Sequence, residues 1–317
     1  MSTERHVIFG AGQVGSPLAT LLLERGHEVV VAKRSPGGIP PGAKAMLGDA
    51  ADAAFCTTAA AGATTVYHCM NPPYSTKAWD EFVPRYMTNL IAASARARAR
   101  VVVLDNVYML GKPNGQPLSA DTPMNPCSRK GEIRAKAAQV LFDAHRRGDV
   151  RATCGRASDF YGPGGTLTQF GDYFWPRVLQ GRSGQVIANP DAVHTYHYIA
   201  DVALGLATLG LAPDDAFGRP WMLPCRPAES LRDLVRRLEK PLGAPIALTV
   251  LPGWMRALLG VFMPPLREMP EMQYQWAEPF IVDDRHFRER FGVLPEDADR
   301  AAAATVAWAR AHYGRTR

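Results

Sequence analysis

The sequence predicts an α/β protein in which a doubly wound parallel sheet is accompanied by a smaller C-terminal lobe. In the first half, short β-branched runs alternate with helical patterns, and the run VVVL at 101–104 is wholly apolar. A glycine-rich turn, GAGQVG at 10–15, lies between the first strand pattern and the first helical pattern. Alternating βαβ units build parallel sheets that helices cover on both faces, so such strands contain few polar residues.

The individual elements follow from the hydrophobic patterns. Short apolar or β-branched runs indicate strands, and apolar residues at intervals of three and four indicate helices. Strands are expected at 7–9, 29–32, 65–69, 101–104 and 150–155. Helices are expected at 14–25, 77–98 and 132–147, and we expect 198–211 to return to the main sheet.

The character of the chain changes near residue 162, where glycine and proline become denser and aromatic residues cluster at 170–175. We therefore predict a dinucleotide-binding domain over 1–161, to which 185–223 partly returns, and a substrate lobe formed mainly by 162–317. A proline-rich stretch at 263–270 separates two C-terminal helical segments. Long loops in a compact chain more often cover a substrate than serve a purely structural purpose.

Composition argues against several classes of protein. No apolar run among the 317 residues reaches the roughly 18 that a membrane helix needs, and the N-terminus lacks the apolar core of a signal peptide. The five cysteines form no C-x-x-C pair, which is typical of reduced thiols. The net charge of +6 comes mostly from dispersed arginines, and the run RARAR at 96–100 is typical of a solvated helix end. We expect a cytoplasmic protein with no membrane or nucleic-acid partner.

The glycine turn predicts a phosphate-binding loop. Gly10 permits a tight turn, Gly12 lets backbone N–H groups approach a pyrophosphate, and Gly15 lets the helix pack on the strand. G-x-G-x-x-G alone is a weak signal, but here it follows a strand pattern, opens a helix and precedes a second strand. Gln13 and Val14 lie in the same turn, so we expect them to contact the cofactor too. The alternative is a plain glycine turn.

The end of the second strand pattern favours NADP(H) over NAD(H). A carboxylate that binds the ribose usually stands there for NAD, whereas cations suit a 2′-phosphate. This chain has Lys33 and Arg34, and no acidic residue occurs between Glu28 and Asp49. Arg34 can stack on adenine and grip a phosphate with its planar fork. The alternative is two exposed cations at a strand end.

Several stretches together resemble the extended and atypical short-chain dehydrogenase/reductase superfamily, the group of nucleotide-sugar epimerases and dehydratases. Besides the glycine turn, the matching stretches are LGD at 47–49, VVVLDNVYMLG at 101–111, NPCSRKGEIRAK at 125–136, GRASDFYGPG at 155–164 and VHTYHYIADVA at 193–203. Residues 280–292 resemble the C-terminal segment of the family. The resemblance implies a Rossmann-like fold, and Phe9, at a position where the family often has glycine, places the chain nearer the atypical branches.

The resemblance also implies cofactor contacts beyond the glycine turn. Asp49 would contact the adenine amino group, with Ala50 beside it. Met70, Asn71 and Pro72, directly after the strand expected at 65–69, would lie along the nicotinamide ribose.

The catalytic positions depart from the family pattern. In the family, a Ser or Thr after the fifth strand polarises the substrate oxygen, and a Tyr-x-x-x-Lys pair supplies the proton and holds the ribose. Alignment on the glycine of YMLG puts Asn106 at the Ser/Thr position, and no Tyr-x-x-x-Lys pair exists near the fifth helix, where the family has it. Its nearest match is Lys130-x-x-x-Arg134, ahead of Glu132-x-x-x-Lys136.

We nevertheless predict catalytic roles for Asn106, Tyr108 and Lys130 on one side of the nicotinamide. Asn106 can donate to a carbonyl oxygen as an oxyanion-hole amide does. Tyr108 can turn a phenol into the same pocket, and Lys130 can serve as an acid if burial or Arg134 lowers its pKa. By resemblance, Lys130 would also contact the cofactor. The alternative is that Tyr108 only packs and that Lys130 and Arg134 form an exposed helix face.

Two residues are expected to face the substrate. Asp159 stands where the resembling nucleotide-sugar enzymes commonly carry an asparagine. A carboxylate there would repel a diphosphate, since like charges about 4 Å apart cost roughly 4 kcal/mol at an effective dielectric constant near 20. It would favour a neutral or cationic substrate, unless Asp159 merely caps a turn. His194 lines the pocket by resemblance; it has metal-ligand spacing with His197 only on a helix, so we expect no metal.

The expected function is that of an NADP(H)-dependent oxidoreductase that transfers hydride to or from a carbonyl or imine of a small organic substrate. The missing Tyr/Lys pair leaves a non-catalytic NADP-binding sensor or regulatory protein as one alternative. An epimerase or dehydratase that holds its cofactor tightly is the other. The resemblance also suggests a homodimer formed through the helices near 77–98 and 132–147.

Overall fold

The computed structural model describes residues 3–187, 189–253, 255, 260 and 264–314. Within these residues the strands are β1 (Arg5–Phe9), β2 (Glu28–Lys33), β3 (Lys44–Leu47), β4 (Thr65–His68), β5 (Arg100–Asp105), β6 (Ala152–Arg156), β7 (Asp159–Tyr161), β8 (Gly184–Val186), β9 (Val193–His194), β10 (Tyr196–Tyr198), β11 (Pro220–Met222), β12 (Glu229–Ser230) and β13 (Leu248–Val250). The helices are α1 (Gly15–Glu24), α2 (Ala53–Ala60), α3 (Thr76–Ala97), α4 (Arg129–Arg146), α5 (Trp175–Val178), α6 (Ile199–Leu211), α7 (Leu231–Leu242), α8 (Pro264–Arg267), α9 (Tyr274–Ala277), α10 (Arg285–Phe291) and α11 (Ala298–Tyr313). Short 3₁₀ turns lie at Tyr108–Leu110, Asp214–Ala216 and Pro270–Met272.

The main sheet is parallel, with the strand order β11-β6-β5-β4-β1-β2-β3. At the end of β1, Phe9 pairs with Ala32 of β2 on one side and with His68 of β4 on the other. The strand order reverses between β1 and β4, so the loops after these two strands diverge and leave a crevice at the carboxyl edge. The predicted doubly wound, Rossmann-like fold is therefore confirmed.

Helices cover both faces of this sheet. On one face α1 packs against α6, where Leu18 and Leu206 share one hydrophobic core. On the other face α3 packs between α2 and α4, with Leu90 towards α2 and Met87 towards α4. Because both faces are covered, the strands are buried on both sides, which explains why β5 reads as a continuous apolar run.

Polar N-caps set where the helices of the site begin. Ser75 Oγ accepts a hydrogen bond from Ala78 N at the start of α3, and Ser128 Oγ accepts one from Gly131 N at the start of α4. Such a side chain satisfies a backbone N–H that has no partner inside the helix. The helix expected from residue 132 therefore begins three residues earlier, at Arg129, and Lys130 lies in its first turn.

The smaller lobe is built around α7 and α11. Leu234 and Leu238 of α7 share a core with Val306 of α11 and with the fully buried Trp175. Three small two-stranded sheets, β7–β10, β8–β13 and β9–β12, are separate from the main sheet. Within the described residues, no helix is long and apolar enough to cross a bilayer.

Some later elements lie with the main sheet. Strand β11 pairs with β6 at the sheet edge, and α6 packs on α1. Phe287 of α10 also packs against Trp221 of β11, with ring centroids 6.1 Å apart. The division of the chain at residue 161, with 185–223 returning in part, stays a prediction.

Candidate active site

The glycine turn joins β1 to α1 at the crevice, and its three glycines have different surroundings. Gly10 has a φ of +98°, and a Cβ there would lie 2.7 Å from Met70 Cγ and 2.9 Å from Cys69 O. A Cβ on Gly15 would lie 1.8 Å from Gly10 O. A Cβ on Gly12 would have no described protein atom within 4 Å. The chain itself therefore requires glycine at 10 and 15, whereas glycine at 12 leaves open space above the turn.

The start of α1 faces this open space with free backbone donors. In the described part of the chain, no group accepts a hydrogen bond from the N–H of Gln13 or Val14, and no side chain caps the helix. A helix N-terminus with free N–H groups favours an anion. Gln13 Oε1 accepts a hydrogen bond of 3.0 Å from Leu167 N, which brings a loop of the smaller lobe to the turn. These features fit the pyrophosphate of a dinucleotide.

The two cations after β2 differ in their surroundings. Lys33 Nζ donates a hydrogen bond to Gly37 O in the following loop. Arg34 is exposed, and its guanidinium makes no hydrogen bond or ion pair with any residue that the structure describes. Arg34 is therefore the cation that remains available to a 2′-phosphate.

Asp49 and Ala50 follow β3, the edge strand that lies two positions from β1 in the main sheet. Asp49 Oδ1 accepts a hydrogen bond of 2.9 Å from Ala51 N, which forms a tight turn. Ala50 is buried, and its carbonyl accepts a hydrogen bond of 2.9 Å from Asn89 Nδ2 of α3. Both residues hold the loop in place, and their contact with adenine stays a prediction.

After β4, Asn71 meets the helix α4. Its Oδ1 accepts a hydrogen bond from the guanidinium of Arg134, and Pro72 beside it is buried. Arg134 is 3% exposed; its Nη1 lies 3.5 Å from Asp105 Oδ1, and its Cζ lies 4.7 Å from the Trp79 ring centroid. Burial raises the pKa of the Asp105 carboxyl, although the charge of Arg134 opposes this change. The arginine at the position of the family lysine is thus buried against the predicted ribose-binding loop.

Asn106 and Tyr108 lie together after β5. Asn106 Oδ1 accepts a hydrogen bond of 3.0 Å from Tyr108 N, so the Nδ2 donor of the amide points the other way. The Tyr108 ring stacks on Trp79, with centroids 6.0 Å apart and an interplanar angle of 12°. Burial and, secondarily, the charge of Asp159 raise the pKa of the Tyr108 phenol, and its hydroxyl interacts with that of Tyr74.

Lys130 does not point into the space beside Asn106. Its side chain is fully buried, and Nζ lies 2.6 Å from Glu268 Oε2, 2.6 Å from Glu271 Oε1 and 3.1 Å from Thr76 Oγ1. An ammonium group has three N–H donors. Since all three have acceptors here, the arrangement supports neither the predicted role of Lys130 as proton donor nor its predicted contact with the cofactor ribose. The alternative of an exposed helix face does not describe Lys130 or Arg134 either.

Asp159 and His194 form a pair close enough to Tyr108 for the charge of Asp159 to affect its phenol. His194 Nε2 lies 3.2 Å from Asp159 Oδ2, misaligned for a hydrogen bond, and His194 Nδ1 lies 3.0 Å from Gln275 O. Trp276 Nε1 donates a hydrogen bond to Asp159 Oδ2. Burial acts to raise the pKa of the Asp159 carboxyl, but the contacts with His194 and Trp276 outweigh it and hold this pKa below its usual value.

His197 faces away from His194. It lies on β10, where Nδ1 contacts the Ser158 hydroxyl at 3.1 Å and Nε2 contacts Leu223 O at 3.3 Å. Desolvation by burial lowers its pKa to about 4. In the described ranges, no group of three or more His, Cys, Asp or Glu side chains is placed to hold a metal ion.

Sequence reasoning did not find the contribution of residues 266–277 to this site. Met272, at 0% exposure, and Trp276 form a cluster with Tyr74 and Tyr108, and Tyr274 packs against it. No motif marks these residues, because the segment reaches the site only when the smaller lobe folds back on the sheet. The aromatic residues near 254–276 were the available signal, but they do not reveal which surface they cover.

The parallel sheet and the glycine turn at its carboxyl edge together define a dinucleotide-binding α/β protein. The model of the NAD dependent epimerase/dehydratase family matches residues 7–219. The chain belongs to this family of NAD-dependent enzymes, which confirms the resemblance seen in the sequence and makes a nicotinamide dinucleotide its cofactor.

The individual proteins that match most of the chain are distant relatives. A 3 beta-hydroxysteroid dehydrogenase/Delta 5-->4-isomerase of Mycobacterium tuberculosis is 27% identical over 78% of this chain and 74% of its own. A UDP-glucose 4-epimerase of Corynebacterium glutamicum is 25% identical over 77% of this chain and 82% of its own. The structure of a Thermus thermophilus UDP-glucose 4-epimerase in complex with NAD is 18% identical, covers 97% of this chain and 99% of its own, and superposes with a TM-score of 0.76. The last comparison concerns the fold alone.

Proposed function

We propose that this protein is an NADP(H)-dependent oxidoreductase that transfers hydride to or from a carbonyl or imine carbon of a small organic substrate. The observation that carries the proposal is the open space over Gly12 at the start of α1, beside the loop of Asn71. Asn71 in that loop contacts Arg134, whose guanidinium lies over the Trp79 ring. Tyr108 stacks on the same ring, so these contacts link the crevice to the residues after β5. The exposed Arg34 supports selection of the 2′-phosphate.

The residues of the chain bind and orient the reactants. When bound, the nicotinamide supplies the group that donates or accepts hydride. Asn106 donates through Nδ2 to the substrate oxygen or nitrogen, because its Oδ1 is held by Tyr108 N. The glycine turn, Arg34 and the loop of Asn71 hold the cofactor.

Tyr108 is the proposed source of the proton. Burial and the charge of Asp159 raise the pKa of its phenol, so the group keeps its proton at neutral pH and gives it up only to a strongly basic acceptor, such as a developing alkoxide. Stacking on Trp79 fixes the ring, and the neighbouring Tyr74 provides a second phenol. In this proposal Lys130 has no part in proton transfer.

The charges around the pocket support a neutral or cationic substrate. The Asp159 carboxylate lies beside the imidazole of His194, and two further carboxylates, Glu268 and Glu271, lie behind the pocket and share the ammonium of Lys130. Among these side chains, three carboxylates stand against one ammonium. A diphosphate would meet net repulsion here.

The experiment measures oxidation of NADPH and of NADH by the purified protein with a panel of aldehydes, ketones and imines. We expect NADPH to be consumed with at least one substrate, and Asn106→Ala to lower kcat by about 100-fold or more. Asn125→Ala serves as a matched control, because this asparagine is exposed. NADPH binding without turnover on any substrate would contradict the proposal and favour a sensor.

A second candidate is an epimerase or dehydratase that keeps its cofactor bound through the reaction. The family and the similarity to a UDP-glucose 4-epimerase support it. Cofactor that copurifies, does not exchange with added nucleotide, and accompanies conversion of a UDP-sugar would favour this candidate over the reductase.

A further inference from the structure

A buried ion cluster lies behind the pocket at the first turns of α3 and α4. Lys130 Nζ contacts Glu268 and Glu271 at 2.6 Å each, and it is fully buried. Burial of a charge is costly unless the charge is paired and hydrogen-bonded. Both carboxylates come from one short segment, residues 266–277, which we call the closing segment.

Each carboxylate also accepts a backbone N–H at a helix start. Glu268 Oε2 accepts from Thr76 N at 3.0 Å and from Thr76 Oγ1 at 2.6 Å, at the start of α3. Glu271 Oε2 accepts from Arg129 N at 2.8 Å, at the start of α4. The positive ends of both helix dipoles therefore add to the charge of Lys130. The cluster fixes the closing segment at two points three residues apart.

The closing segment then continues into the pocket. Met272 packs beneath Tyr74 and Tyr108 with no exposed surface. Gln275 O contacts His194 Nδ1 at 3.0 Å, and Trp276 Nε1 donates to Asp159. Gln275 and Trp276, which contact the proposed substrate-facing pair, thus lie four to eight positions after the two carboxylates in the chain.

We infer that Lys130 is a positioning residue that holds the closing segment over the substrate pocket and thereby places Trp276 and the Gln275 carbonyl against Asp159 and His194. The assignment of the pocket to a substrate rests on the proposed function. The attachment of the segment by Lys130 is a statement about the folded chain and is testable without turnover.

The main measurement is hydrogen exchange of the backbone amides in the closing segment, where Met272 N bonds to Met269 O and Trp276 N bonds to Gln273 O. In Lys130→Met these amides should exchange about tenfold faster or more, while the amides of β1 and β5 keep their protection. Lys136→Met is the matched control, because Lys136 is exposed on the same helix, and it should leave exchange unchanged. If Lys130→Met does not fold, Glu268→Gln with Glu271→Gln removes the same ion pairs from the other side and should give the same local change.

The outcomes separate this inference from the proposed function. Unchanged exchange in the closing segment of a folded Lys130→Met or of the double glutamine variant would overturn the inference, whether or not the protein turns over NADPH. Equal acceleration of exchange in the closing segment and in β1 and β5 would also overturn it, because that result indicates a general loss of stability. Where a substrate is found, the inference further predicts that Lys130→Met raises KM about fivefold or more and leaves the Kd of NADPH unchanged.

Discussion

At the end of β2, two neighbouring cationic side chains differ in how free they are to bind a cofactor. Lys33 Nζ donates a hydrogen bond to the Gly37 carbonyl. The guanidinium of Arg34 is exposed and makes no hydrogen bond or ion pair with the part of the chain that the structure describes. A planar guanidinium forms paired hydrogen bonds with a phosphate, and bonds of this charged type are stronger than neutral ones. Cofactor choice is therefore expected to depend mainly on Arg34.

Arg34→Ala should weaken binding of NADPH by roughly 10–100-fold and leave binding of NADH within about twofold, because only NADPH carries the 2′-phosphate. Fluorescence titration with both nucleotides measures the two dissociation constants. Arg25→Ala is the matched control, since Arg25 is an exposed arginine at the end of α1. Equal losses for both nucleotides in Arg34→Ala would show that this residue does not read the phosphate.

Asp159 is the second residue whose charge has a defined consequence. It accepts from Trp276 and lies 3.2 Å from His194 Nε2, so a neutral amide at this position keeps an acceptor for the indole but removes the negative charge beside the imidazole. Asp159→Asn should lower kcat/KM for the natural substrate by about tenfold or more and leave the Kd of NADPH unchanged. Steady-state kinetics and nucleotide titration of the same preparations test both parts. Tight binding of a UDP- or TDP-sugar by the unmodified protein would contradict the assigned role of this carboxylate.

At the scale of one element, the glycines of the turn between β1 and α1 have different roles: two are required by the fold, and the third leaves space for a cofactor. Gly15 packs with its Cα against the Gly10 carbonyl, and Gly10 takes a left-handed conformation. Gly12 has neither constraint, because its surroundings in the folded chain are open. Glycine therefore occurs at the three positions of this turn for different physical reasons.

Substitution of these glycines should therefore give opposite results. Gly12→Ala should change the free energy of unfolding by less than about 0.5 kcal/mol while it weakens nucleotide binding, because the methyl group enters only the space of the ligand. Gly15→Ala should destabilise the fold by about 1–3 kcal/mol or more, because its methyl group meets a backbone oxygen. Urea unfolding and NADPH titration measure the two quantities. A strongly destabilised Gly12→Ala would mean that the turn is not open as described.

At the scale of the whole molecule, Asp201 connects the two lobes. It lies in the first turn of α6, and its Oδ1 accepts a hydrogen bond of 3.0 Å from Glu296 N, just before α11. Burial raises its pKa from 3.8 to about 7; the hydrogen bond from Glu296 N and the charge of Arg226 oppose this increase, and the charge of Glu296 adds to it. Its Oδ2 is buried with no hydrogen-bond partner among the residues described.

This carboxyl should make the stability of the protein fall as the pH rises between about 4 and 7. In that interval the folded state still holds the proton that the unfolded state has released, so the folded state binds more protons and loses stability with increasing pH. Asp201→Asn keeps the acceptor for Glu296 N and removes the titration. The variant should gain stability relative to the original chain across this interval, and the titration sets an upper limit of roughly 4 kcal/mol above pH 7. The observed gain should be smaller than this limit, because the new amide N–H has no acceptor.

Urea unfolding at several pH values tests this prediction. Below pH 4 the two proteins should show no pH-dependent difference, since the carboxyl is protonated in both states. Asp121→Asn is a suitable control, because Asp121 is exposed. A difference between Asp201→Asn and the original chain that stays constant from pH 4 to pH 8 would contradict the assigned titration.

The state of assembly is the other property of the whole molecule. Helices α3 and α4 pack side by side, and Val140 of α4 is 44% exposed on their outer surface. The homodimer through these helices stays a prediction. Light scattering during gel filtration should give twice the mass of one chain, and Val140→Glu should shift the protein towards the monomer; a monomeric original chain would exclude this interface.

Much of the cofactor end of the molecule was predictable because its signals are local. The spacing of Gly10, Gly12 and Gly15 reflects backbone sterics within one turn, and the apolar runs reflect burial on both faces of a strand. Likewise, Ser128 marks the start of α4 by capping a nearby N–H, although the sequence interpretation placed that start too late. The order of strands and helices follows from such local patterns and from the right-handed βαβ connection.

The substrate end was predictable only in part, because its contacts join distant parts of the chain. The sequence by itself determined the fold class, the glycine turn and the family. It could not determine that Lys130 contacts Glu268 and Glu271, which lie 138 and 141 residues away, or that Trp276 donates to Asp159 across 117 residues. Local periodicity carries no information about such separations, and the burial that sets the partners and the pKa values of these groups exists only once the smaller lobe has closed on the sheet.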